Sequence, residues 1–172
     1  MGFLPRRLIL PAAILLAGAV AALFFFRFQS VLTIRQGRTG ALLAAVPLSR
    51  GDGFELRYVH SVNRGAVRDR FFVDRRGAIV LADSVFQSFG AGMEEGLGGP
   101  DPVALEAEGL VLRNLNRDLG VIRVAVGSAA DHRLYFADGR ELPLKAVAQP
   151  LTFVTIAFEF IVLRGFHGKS RD

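Results

Sequence analysis

From Phe54 to Val62 inward and outward side chains alternate, with Phe54, Leu56, Tyr58, His60 and Val62 on one side and Glu55, Arg57 and Ser61 on the other. Successive side chains of a β-strand point to opposite faces, so this period predicts a strand with one buried face. Val67 to Val73 repeats the pattern: Val67, Asp69, Phe71 and Val73 share a face opposite Arg68, Arg70 and Phe72. The intervening Asn63-Arg64-Gly65-Ala66 predicts a turn and hence an antiparallel hairpin. Closed about Arg64-Gly65, the hairpin sets Val62 against Val67, Tyr58 against Phe71, Leu56 against Val73 and His60 against Asp69. Opposed Cβ atoms stand about 4.5–5.5 Å apart, near enough for an imidazole and a carboxylate to bond. Every other inward pair of this register is apolar, and buried polar groups cost free energy unless partnered. The pair reads as a polar pin for the hairpin, as a ligand-facing or pH-sensing pair at a cleft, or as part of a catalytic set.

Further short apolar segments recur about every ten residues between Gly, Asp and Asn: 31–35, 78–86, 110–115, 121–126, 134–136 and 151–163. Val, Ile, Phe and Tyr dominate them and helical periodicity is absent, which predicts an all-β antiparallel sandwich or partly open barrel. Asp138-Gly139 predicts a tight hairpin, Asn116-Arg117-Asp118 another turn, and the Gly/Pro/Glu-rich residues 92–108 one long loop. The third strand, turning about Arg75-Arg76, ends beside His60 and brings Ser84 and Ser88 toward it. It empties into Gln87-Ser88-Phe89-Gly90-Ala91-Gly92-Met93, where Gly90 and Gly92 permit a binding rim or anion-holding nest, or simply end the strand.

Composition matters mainly at the amino terminus. Of 88 apolar residues, 20 fall in the first 26 positions, leaving an ordinary globular fraction for the rest. Leu8 to Phe26 carries no charge; at 1.5 Å per residue it spans about 28 Å, close to a bilayer's hydrocarbon core. The run predicts a transmembrane signal-anchor helix over 8–26 after a cytoplasmic head over 1–7. A cleaved signal peptide is the alternative, and a buried helix a weaker one; Phe24-Phe25-Phe26 extends the run beyond a usual signal core. The short head places a β domain (27–163) in the periplasm on the bacterial inner membrane, with a polar tail over 164–172. Absence of cysteine is compatible with that compartment.

The charge excludes little. Nineteen arginines and two lysines against sixteen acids are scattered, with none of the clustered basic stripe that nucleic-acid binding needs. No G-x-S-x-G elbow, dinucleotide motif or metal-ligand spacing occurs, and the acidic residues 94–108 lack calcium-loop spacing, so neither cofactor nor metal is expected. Ser61 points away from His60, and His132 and His167 sit in turn-like and tail contexts.

Tyr58-Val59-His60-Ser61-Val62, an acid at position 69, and Ser88-Phe89-Gly90-Ala91-Gly92-Met93 together resemble the bacterial domain of unknown function 1850 family over roughly residues 40–163. Glu is commoner there at position 69; Asp69 keeps the charge and shortens the reach. The resemblance implies a small exported or membrane-anchored protein, often encoded beside TRAP transporters of the TAXI type, and supplies neither activity nor ligand. Tyr58, His60, Ser61, Asp69, Ser88, Gly90 and Gly92 are the candidate ligand-binding or motif residues. The expected function is a non-enzymatic, membrane-anchored accessory or ligand-binding module, partnered by a TRAP membrane subunit or its solute-binding protein. A small hydrolase using His60, Asp69 and a nearby serine is the first alternative, and an envelope scaffold without ligand the second.

Overall fold

A computed structural model describes residues 11, 15, 18, 26–60, 64–87, 103–107 and 109–164. Ser61, Ser88, Gly90, Gly92 and most of the 8–26 span lie outside the described residues, although Pro11, Leu15 and Gly18 are helical. Among the described residues no helix is long and apolar enough to cross a membrane. The chain divides into two compact units, Ser30–Glu159 and the two terminal segments, and Ser30–Glu159 holds the hydrophobic core.

Among the described residues twelve strands follow one another: β1 Phe26–Gln36, β2 Leu42–Pro47, β3 Gly53–Val59, β4 Ala66–Val73, β5 Ile79–Phe86, β6 Val103–Glu106, β7 Gly109–Leu112, β8 Arg117–Gly120, β9 Ile122–Val126, β10 Arg133–Phe136, β11 Glu141–Pro143 and β12 Thr152–Arg164. A 3-10 turn, Leu144–Ala146, follows β11. Four strands form one sheet in the order β2-β1-β12-β9. The larger sheet runs β11-β10-β3-β4-β5-β7-β6, with β8 also pairing β5. Among the described residues the strand pairings are all antiparallel, and the two sheets are open, so the architecture is sandwich-like and not a closed barrel.

Alternation explains the core. Leu32, Ile34, Val154 and Ile156 from the small sheet meet Leu56, Val73, Ile79 and Leu134 from the large one, all buried. Removing each such side chain from water contributes roughly 1.5–3 kcal/mol. Phe54 stacks on its cross-strand partner Phe71 at 5.2 Å and lies 6.4 Å from Phe136. Thr33 is wholly buried on β1 and donates its hydroxyl proton to the Ala157 carbonyl at 3.2 Å, while Arg35 bridges to Glu159 at 2.7 Å.

The eight strand segments read from sequence are all present, with shifted ends, and β2, β6, β8 and β11 add to them. β6 falls inside the expected 92–108 loop, and β8 begins at Arg117 within the expected turn. The Asp138-Gly139 hairpin is present between β10 and β11, with Gly139 at φ 86°. The β3–β4 hairpin corrects the expected register. Leu56, not His60, opposes Asp69; Tyr58 opposes Val67; and the ladder ends at Val59–Ala66. The connection is longer than a two-residue turn: His60 N–H donates to the Gly65 carbonyl at 2.9 Å, and Arg64 N–H to the His60 carbonyl at 3.0 Å. The slip is four residues, an even number, so every side chain keeps its face while changing its partner.

This register is testable in a chain without native cysteine. Oxidation of an Arg57→Cys/Arg68→Cys variant is expected to give an intramolecular disulfide, because those residues are directly opposed. His60→Cys/Asp69→Cys is expected to stay reduced, its partners lying about four residues, roughly 13 Å, out of register. Non-reducing gel mobility with thiol counting distinguishes the two results; cross-linking of the second pair alone would contradict the register.

Candidate functional site

Three strands, β3, β4 and β5, build two polar arrangements, one on each face. Inward, the row Leu134–Leu56–Asp69–Ser84–Leu112 crosses five strands, and its two polar members are neighbours. Ser84 is 4% exposed and donates its hydroxyl proton to Asp69 Oδ1 at 2.5 Å. Tyr58, diagonally opposite on β3, gives Asp69 a second side-chain hydrogen bond. His132 stacks on the Tyr58 ring, with centroids 5.1 Å apart and planes 27° from parallel.

A break in alternation brings Ser84 to this face. Strict period two along Ile79–Ser84 would put Ile79, Leu81 and Asp83 inside and Ser84 outside. The β4–β5 register instead shifts between Arg70 and Phe71: Phe71 opposes Leu81, whereas Arg70 opposes Asp83 and Asp69 opposes Ser84. Ala82 is the extra residue of this bulge, and its carbonyl accepts from Leu115 N–H at 2.8 Å. Ile79, Leu81 and Ser84 thereby all face inward.

Burial is the dominant influence on Asp69: it raises the carboxyl to about 6, opposed by the Ser84 and Tyr58 hydrogen bonds that favour the anion. Burial also pushes the Tyr58 phenol well above its ordinary value, reinforced by the Asp69 charge and hydrogen bond, so it remains a donor. His132 is held below the usual imidazole value by burial, partly offset by Asp131, and its Nδ1 has no hydrogen-bond partner among the described residues. Chemically, Ser84 commits its proton to a carboxylate and is nearly sealed, an arrangement that fastens strands together.

The opposite face of the same strands carries a row of like charge. Arg133 opposes Arg57, Arg57 opposes Arg68, and Arg68 opposes Val85. Directly opposed like charges destabilise a sheet. The next row, Glu141–Tyr135–Glu55–Arg70–Asp83, supplies counter-charges. Glu55 accepts from Arg57 at 2.6 Å and from Arg70 at 3.1 Å. Burial raises the Glu55 carboxyl, but the Arg57 and Arg70 hydrogen bonds and the nearby Arg68 charge carry it below its ordinary value. Arg133 bonds Asp131 at 2.7 Å and also Glu141, and the Arg57 guanidinium lies 4.3 Å from the Tyr135 ring centroid. Beside the arginine row opens a concavity of about 460 Å³, bordered by Arg57, Arg68, Arg133, Tyr135, Ala66 and Asp131.

Of the residues expected from sequence, Tyr58 and Asp69 meet in the inward cluster. His60 lies in the turn after β3 and does not oppose Asp69; Ser61, Ser88, Gly90 and Gly92 lie outside the described residues. Sequence reasoning missed His132, which no periodic pattern marks, and the arginine row, whose members look like ordinary solvated positions until paired. Among the described residues no group of three His, Asp or Glu side chains is placed to hold a metal ion.

Fold and site together define an all-β, sandwich-like domain with an inward-facing, largely covered carboxylate–hydroxyl cluster behind an arginine-lined outer concavity. The chain belongs to the family described as Domain of unknown function (DUF1850), whose model matches residues 54–144, more than half of the chain, from the second residue of β3 through β11. No curated protein and no solved structure matches it.

The Asp69 environment sets a pH dependence. An exposed carboxyl ionises near 3.9, so between about pH 4 and 6 the folded chain keeps a proton that the unfolded chain has released. The contribution of Asp69 to stability is therefore complete below about pH 4 and falls to its minimum above about pH 6, by on the order of 3 kcal/mol. Urea unfolding of Asp69→Asn beside the parent at pH 4, 5, 6 and 7 isolates this effect from the other carboxylates. The parent is expected to lose stability relative to the variant across that window; a constant difference would contradict a buried Asp69.

Proposed function

We propose that the chain is a membrane-anchored periplasmic accessory module that binds a ligand on the outer face of its larger sheet and acts beside a TAXI-type TRAP transporter. The observation that carries the ligand-binding part is the concavity of about 460 Å³ bordered by Arg57, Arg68 and Arg133. A sheet maintains three directly opposed arginines against their mutual repulsion, and such a local conflict is what a binding surface retains. Anchoring is supported by the charge-free run from Leu8 to Phe26. The transporter connection, through the membrane subunit or its solute-binding protein, is taken over from what the resemblance to the domain of unknown function 1850 family implies.

The hydrolase reading has one contact in its favour, Ser84 with Asp69, and that contact suits a structural fastening better. The serine is 4% exposed and its proton goes to the carboxylate, whereas a nucleophile needs an adjacent base and access to substrate.

The test is affinity purification of the full chain from membranes that also contain a TAXI-type TRAP membrane subunit, together with solute uptake in a deletion strain. Co-elution of the subunit and a clear fall in uptake, restored by the intact gene, are the expected results. Undiminished uptake and no co-elution would contradict the proposal.

A further inference from the structure

We infer that the concavity beside Arg57, Arg68 and Arg133 binds an organic carboxylate with an apolar body, an assignment that rests on the ligand-binding reading above. A guanidinium presents parallel N–H donors in the spacing of a carboxylate's two oxygens, and its planar fork makes such pairs directional. Arg57 is directly opposed to Arg68 on one side and to Arg133 on the other, so three guanidinium stems rise side by side from adjacent strands. Neighbouring side chains orient the Arg57 and Arg133 heads. Glu55 accepts from both Nε and Nη2 of Arg57, at 2.8 and 2.6 Å, while Tyr135 lies under its guanidinium. Arg133 is steered by Asp131 and Glu141.

The border of the concavity is cationic. Among the described residues Asp131 is its one carboxylate, and both its oxygens are engaged: Oδ2 by Arg133 and Oδ1 by Lys145, each at 2.7 Å. Glu55 and Glu141 orient the arginines from outside the border. An incoming anion thus meets guanidiniums and few competing acids. The rest of the wall selects what the anion is attached to. Val59, Ala66, Val85 and Tyr135 present hydrocarbon and an aromatic ring, which suit an apolar body and give a fully hydrated inorganic ion little to contact. The volume, about 460 Å³, lies within the range of small-molecule sites.

Isothermal titration calorimetry on the purified full chain decides this, with benzoate as probe and benzamide as its neutral isostere. Benzoate is expected to bind saturably and benzamide at least about ten-fold more weakly, as loss of a charge-assisted pair requires. Arg57→Gln and Arg68→Gln are each expected to weaken benzoate by about ten-fold, whereas Arg38→Gln, in the turn after β1, is expected to leave it unchanged. Thermal unfolding identifies any variant that does not fold. Arg68→Lys, which keeps the charge and loses the fork, then stands in for Arg68→Gln and is expected to bind more weakly than the parent.

Equal binding of benzamide, or no effect of either arginine, overturns the assignment. Inorganic phosphate binding as tightly as benzoate overturns the apolar-body part. If benzoate fails to bind while the transporter subunit still co-elutes, the ligand class is wrong and the accessory reading stands. Benzoate binding without co-elution leaves the site and removes the transporter.

Discussion

A carboxylate placed inside a sandwich must find donors or surrender its charge, and Asp69 finds them on both sides. β4 contributes the acid, β5 the Ser84 hydroxyl and β3 the Tyr58 phenol. Burial is strong enough to carry the carboxyl to about 6 despite both bonds, so the cluster sits close to the balance between charged and neutral forms. Hydrophobic burial alone tolerates slippage by two residues, since each face remains apolar. The inward row of leucines does not: any even slip would take Asp69 from its hydroxyls and set it among apolar side chains at a cost of about 1–3 kcal/mol or more. One polar cluster therefore selects one register from several that packing would accept.

That choice propagates through the sheet to its other side. Tyr58 follows Arg57, Asp69 follows Arg68, and Ser84 precedes Val85, so the inward cluster and the outward arginine row are consecutive residues of the same strands. The bulge at Ala82 belongs to the same arrangement, because without it β5 would present Asp83 to the interior and Ser84 to solvent. The outer face is held together by ion pairs within and between strands, Glu55 with Arg57 and Arg70 and Glu141 with Arg133, and these compensate part of the repulsion within the row. Most of these pairs are partly exposed and contribute little to stability individually. Their effect is to orient guanidiniums.

Period two is a statement about faces, which is why the strand framework was legible and its pairing was not. Phe54, Leu56, Tyr58, Val67, Asp69 and Phe71 all stand on the face their alternation implies. The partner of Asp69 depended on the length of the 60–65 connection, and Gly65 marks a turn without stating how many residues it contains. The four added strands are three to six residues long and carry weak signals: Pro47 and Pro143 end two of them, Arg117-Asp118 opens a third, and β6 lies among Gly, Pro and Glu. His132 precedes β10 in a turn, where neither period nor propensity marks a half-buried ring. Arg57, Arg68 and Arg133 were each legible as outward-facing; their adjacency is a property of pairing across 76 residues of chain.

The most direct measurement is the side-chain carboxyl resonance of Asp69, followed by carbon-13 NMR through pH 4 to 8 in the parent and in Ser84→Ala. A midpoint near about 6 that moves upward when the serine hydroxyl is removed is the expected result, because that hydrogen bond favours the anion. A midpoint near 3.9, indifferent to Ser84→Ala, would mean an exposed carboxylate and no fastening between the strands.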